Sequence, residues 1–192
     1  MSKEKLITLL LTASLLMASG GCATDMARVD YDNKINTAFA QLQDGKPSQA
    51  LKNLELAGKI GEENGYDKTE LKQLFVEANL GLGNNVEAYA QAKELLDSNP
   101  QDAYANELMG KVLLKEGQYS EAEKYFTTAQ AGYEAPMDSA RISDLITLAR
   151  YFAAYEEANP RLADGYLREI QNADLQLAVD KAQKDIIIKD LY

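Results

Sequence analysis

Few residues in this chain are of the types that do chemistry, and their spacing narrows the choice further. Its 192 residues include no histidine, no tryptophan and one cysteine. Without histidine, every imidazole-based triad, imidazole proton shuttle and histidine-ligated metal site is excluded. One cysteine cannot close a disulfide within the chain or build a cysteine-rich zinc site. Glu62-Glu63 and Glu156-Glu157 are neighbours in sequence, so on a helix they point in different directions and do not converge on a substrate. Gly81-x-Gly83 lacks the third glycine and the preceding strand of a nucleotide loop, and no Gly-Lys is followed by Ser or Thr. Glu63-Asn64-Gly65-Tyr66-Asp67 lacks the alternating carboxylates of a calcium loop. No enzyme activity, cofactor or metal is expected.

Charge excludes another class. With 30 acidic and 20 basic residues the net charge is -10, and the lysines and arginines form no patch or stripe that would hold phosphates. Nucleic acid is not an expected partner.

The one reactive side chain left is Cys22, and what precedes it is informative. Lys3 and Lys5 give a short positive start, and Leu6 to Ser19 is an uncharged, mostly apolar run. Fourteen residues fall short of the ~20 that a membrane-spanning helix needs and suit a signal-peptide core. The run ends in Ala18-Ser19-Gly20-Gly21, directly before the cysteine. This resembles the lipobox of bacterial lipoproteins, with Ser19 where an aliphatic residue is usual. The resemblance implies a signal peptide over 1–21, a lipidated Cys22, and a tether over 22–30 leading to a helical domain over 31–192. Ala23, rather than Asp, after the cysteine implies sorting to the outer membrane, facing the periplasm. Ordinary secretion through an Ala18-x-Gly20 cleavage site is the alternative, and would leave the protein soluble in the periplasm. Several acyl chains hold a protein stably where one holds it marginally, so the lipid would be the membrane attachment. Removal of 1–21 takes away Lys3, Glu4 and Lys5 and leaves -11, so the domain itself has no charge attraction to anionic lipid.

The elements behind these residues are helical. Val, Ile and Thr together number only 22, too few for a sheet-dominated fold, whereas Leu, Ala, Glu, Gln and Lys abound. Apolar spacing and breakers predict helices over 26–43 and 47–60, 68–81 and 86–97, and 102–115 and 119–132. Asp67 with Glu70, and Ser120 with Glu123, are spaced as capping boxes. A longer helix over 138–158 ends at Asn159-Pro160, another follows over 161–172, and a last one over 174–189 carries Leu175, Val179, Ala182 and Ile186 on one stripe.

These helices repeat. Gly45, Gly83 and Gly117 stand 38 and 34 residues apart, and each is followed at five residues by Ala50, Ala88 and Ala122. Leu54, Ala92 and Phe126 come four later, and Ala57, Leu95 and Ala129 three later again. The third copy adds Leu108-Met109-Gly110 and Gly117-x-Tyr119. This set resembles the tetratricopeptide repeat, a 34-residue helix–turn–helix unit, over residues 31 to 135. Asn106 stands where the family's Trp would be, and Leu113 where its Tyr would be. The fold expected is all-α: a tetratricopeptide-like solenoid of three to four helix pairs, closed by the C-terminal helix as a cap.

The resemblance also implies where a partner would bind. First helices of such repeats line a groove through their positions 2, 5, 9 and 12. These map to Glu70, Gln73, Glu77 and Leu80 in the second copy, and to Tyr104, Glu107, Lys111 and Leu114 in the third. In the long helix they map to Leu145, Leu148, Phe152 and Tyr155. Aromatic and aliphatic side chains would supply affinity, with Glu70, Glu77 and Glu107 preferring a basic peptide. Packing of Leu148 and Phe152 under the capping helix is the competing use of those two. A scaffold that binds a protein or peptide partner during envelope, pilus or secretion-complex assembly is the function expected. An adaptor that docks and regulates a peptidoglycan hydrolase or synthase is the alternative.

Overall fold

Short turns between helices of about ten to twenty-one residues set the frame. A computed structural model describes residues 26–180, and all of that stretch is helices and short connections. The helices are α1 (26–43), α2 (Pro47–Asn64), α3 (Thr69–Leu82), α4 (Asn85–Ser98), α5 (Ala103–Lys115), α6 (Tyr119–Gly132), α7 (Pro136–Glu156), α8 (Pro160–Glu169) and α9 (173–180). The signal segment, Cys22, Ala182 and Ile186 lie outside the described residues. Residues 26–30, assigned above both to a tether and to a helix, are helical.

Within the described residues each helix falls within a few residues of its expected span, and the differences have local causes. The α2 helix runs on to Asn64 because Gly65 takes a left-handed φ of 68°, and the N–H of Tyr66 closes onto the carbonyl of Gly61 at 3.0 Å. The α8 helix stops at Glu169 because Asp144 of α7 accepts the N–H groups of Gln171 (2.7 Å) and Asn172 (2.9 Å), pulling the chain out of helical geometry. Gly83 and Gly117, with φ of 76° and 75°, make turns that any side chain would strain.

One capping box needs correction. The α6 helix is capped at Gln118, so Ser120 lies inside it, and Glu123 bonds Arg150 instead (2.8 Å). Asp67, just before α3, accepts the N–H of Thr69, the first residue of that helix, at 2.9 Å. Asp102 accepts that of Ala105 at 2.7 Å.

The described helices fall into two compact units that divide between Leu82 and Gly83. In the first, Tyr31, Ile35 and Ala38 of α1 meet Ala50, Leu54 and Ala57 of α2 and Leu71, Leu74 and Ala78 of α3 in one buried cluster. Each set follows helical spacing, so each helix commits one stripe to the core. In the second unit α5 is buried almost all round, from Ala105 through Leu113, between α4 and α6. Phe126 of α6 is fully buried over Gly110. The α7 helix packs on α6 and on α8 and so buries two faces. Its Leu148, Tyr151 and Ala154 join Ala163, Ile170 and Val179 in a second cluster, against which Leu175 rests.

One backbone position is strained. Ala158, between α7 and the cap of α8, has a φ of 55°, which an L side chain adopts at a cost of ~1–2 kcal/mol. Ala158→Gly is expected to gain roughly 0.5–1 kcal/mol after glycine's extra unfolded-state entropy is set against that relief. Thermal unfolding should show the melting temperature rising by ~1–4 °C. An unchanged or lowered midpoint would mean that the turn holds no strain.

Candidate binding faces

On α3, in the first unit, Glu70 is exposed, Gln73 and Glu77 are half-buried, and Leu80 is buried. Glu77 borders an open hollow of about 330 Å³ whose other walls are Leu42, Gln43, Gly45, Pro47 and Gly81. That volume is at the low end for a small-molecule site. It exists because Gly81 lets the α1–α2 turn approach: a Cβ there would stand 3.0 Å from the ring of Pro47.

In the second unit the α5 positions have a different use from the one expected. Glu107 is fully buried. Its carboxylate accepts both terminal guanidinium nitrogens of Arg141 (2.5 and 2.8 Å), the hydroxyl of Tyr133 (2.6 Å) and an ion pair from Lys111 (2.7 Å). Burial pushes its pKa up, but the Arg141 hydrogen bond and the Lys111 charge more than offset it, holding the group at about 2. Burial and the bond to Glu107 push the Tyr133 hydroxyl up, and the bond to Glu107 raises the Arg141 guanidinium, which also lies over the Tyr133 ring at 5.9 Å. Glu107 is therefore corrected from a groove carboxylate to the centre of an internal ion cluster, and Lys111 is half-committed to it. Tyr104 remains half-buried on the same helix.

The α7 positions divide as well. Leu148 is buried in the second cluster, and Leu114 and Phe152 pack against it. Phe152 stacks on Tyr119 at 5.2 Å and meets Tyr151 edge-on at 5.1 Å. The packing use of Leu148 and Phe152 is the one observed. Tyr155 is 46% exposed, resting on Tyr151 at 6.4 Å, and is the open member of this row.

Sequence reading missed Arg141, Tyr133 and Asp144. The first had a signal. Arg141 lies 34 residues after Glu107 and touches it, and Leu148 lies 34 after Leu114 within one cluster. A strict 34-residue register therefore carries positions 2, 5, 9 and 12 onto Asp138, Arg141, Leu145 and Leu148. Phe152 and Tyr155 fall beyond that set, in the extra length of α7. Asp144 and Tyr133 gave no signal, since an Asp on a helix is usually solvated and a Tyr is buried about as often as not.

Among the described residues no group of His, Cys, Asp or Glu could hold a metal ion, and no helix is long and apolar enough to cross a membrane. No family model, curated protein or solved structure matches the chain.

Proposed function

We propose that this chain is a lipid-anchored scaffold of tetratricopeptide-like helix pairs, stacked as a solenoid, that holds a protein or peptide partner at the periplasmic face of the outer membrane. The observation that carries the repeat reading is burial in register. Ala50, Ala88 and Ala122, then Leu54, Ala92 and Phe126, then Ala57 and Ala129, are all 0% exposed, and Leu95 is 6%. One spacing, counted from each turn glycine, marks the packed face of α2, α4 and α6 alike, as a repeat of helix pairs requires. The lipobox-like run before Cys22 supports the anchor. Such an array offers its first helices to an extended or helical peptide. Of the expected groove positions, Glu70 on α3 and Tyr155 on α7 are exposed, and Gln73 and Glu77 on α3 and Tyr104 on α5 are half-buried.

Two experiments test this. Cys22→Ala should move the protein from the membrane fraction to the soluble periplasm; retention after a salt wash would sink the anchor. A photocrosslinkable residue at Tyr104, Glu70 or Tyr155 in cells should capture one discrete species by mass spectrometry. A blank at all three, with expression and localisation intact, would sink the first-helix faces as the working surface.

A further inference from the structure

The first turns of α1 carry two apolar side chains that stand mostly in solvent: Met26 is 73% exposed and Val29 58%. Scattered exposed apolar residues are normal on any surface, but these two are three apart and share one helix face. Continuing along that face, the next positions are Asn33 and Asn36, both exposed. Beyond them Phe39, on the adjoining face, is 50% exposed, so the two asparagines separate Met26 and Val29 from the next apolar exposure on α1. The end of α1 nearest Cys22 is also fixed to its unit. The Tyr31 hydroxyl donates to the carbonyl of Asp67 at 3.0 Å, and the Arg28 guanidinium lies over the rings of Tyr31 (5.5 Å) and Tyr66 (5.1 Å). Two of the acidic groups there are paired, Asp32 with Arg28 (3.0 Å) and Asp30 with Lys34 (3.4 Å), which offsets part of the negative charge at this end of the helix.

Chain length then decides what the patch meets. Four peptide steps separate Cys22 from Met26, and at ~3.8 Å each they span at most ~15 Å. The polar layer over the hydrocarbon core is ~5–8 Å deep on each side. We propose that Met26 and Val29 are a lipid-seating patch, inserted in the headgroup region beside the acylated Cys22, which holds the first unit at a fixed attitude to the membrane. This rests on the anchor proposed above and adds to it a second, shallower contact, of the kind that amphipathic helices make by burying an apolar face at the interface.

The test uses the full, acylated protein floated with vesicles of phosphatidylethanolamine and phosphatidylglycerol, its acylation verified by mass. An environment-sensitive fluorophore (NBD) is placed on Val29→Cys and, for comparison, on Asn36→Cys, about 10 Å further along the helix. Blue-shifted emission at 29, quenched by a nitroxide shallow in the acyl chains and several-fold less quenched at 36, is the expected result. Flotation without a shift at 29 would overturn the seat and leave the anchor standing. Shifts of equal size at both positions would overturn the fixed attitude. A concentration-dependent shift at 29 in the unacylated protein without vesicles would mean that a second copy covers the patch. Failure to float, with no acyl mass, would remove the anchor and the seat together.

Discussion

Glu107→Ala is expected to destabilise the second unit by ~3 kcal/mol, near the lower end for removing one partner of a buried ion cluster. The carboxylate is fully buried, and three groups converge on it. Taking it away leaves Arg141 and Lys111 as a like-charged pair and the Tyr133 hydroxyl without its acceptor. The cost stays below the highest values because Arg141 and Lys111 keep 44% and 31% of their side chains in water and can turn outward. Glu107→Gln keeps the shape and one acceptor oxygen, and should lose about half as much. Arg141→Ala is expected to be worse than its exposure suggests, since it strips the strongest donor from a buried charge. In a double-mutant cycle the two alanines should fall short of additivity by at least ~1 kcal/mol. Additive losses, measured by urea unfolding, would show that the pair does not couple.

The same cluster predicts an acid limb. Glu107 titrates at about 2 in the folded protein against an ordinary 4.5. A carboxylate with a lowered folded pKa stabilises fully above its unfolded value and loses that contribution as pH falls. Stability should therefore decline between about pH 4.5 and pH 2. At ~1.4 kcal/mol for each tenfold change in proton affinity, the loss at full protonation is roughly 3 kcal/mol. Glu107→Gln should flatten that decline, and if the wild-type and variant acid limbs run parallel, the cluster is not its source.

Legibility followed period. The repeat glycines, the buried alanines and the ends of nearly every helix were readable because sequence spacing alone specifies them: a helix between two breakers has one stripe to bury. The identity of the open surface was not readable, and Glu107 shows why. A glutamate at position 5 of a first helix has the same sequence appearance whether it faces solvent or a neighbouring helix. What decided its use was Arg141, one period later and on another helix, together with Tyr133 in the intervening turn. Phe152 was misplaced for a related reason. The α7 helix is 21 residues long, so more than one set of four positions fits along it, and the set expected lies two turns beyond the one that a strict 34-residue spacing gives. A residue's own type could not correct that; only its neighbours across the cluster, Tyr119 and Tyr151, could.

Gly110→Ala is expected to lower stability by ~1–3 kcal/mol although it adds a single methyl to a good helix former. On an exposed helix this change would stabilise. Here a Cβ would stand 2.5 and 2.6 Å from two ring carbons of Phe126, well inside van der Waals contact. The ring cannot step aside, because it is 0% exposed and packed from every direction. Phe126→Ala tests the other half of the contact and should cost ~3–5 kcal/mol, the usual range for emptying an aromatic site in a core. The discriminating variant is Phe126→Leu, which by itself loses ring contacts but opens room over Gly110. In that background the added methyl should cost less than half of what it costs against Phe126, so the two losses combine to less than their sum. Thermal and urea unfolding of the four proteins measures this directly. If Gly110→Ala costs the same in the Phe126→Leu background as in the wild type, the close approach of α5 and α6 does not depend on that glycine. The helix-pair repeat proposed above would then lose one of its supports.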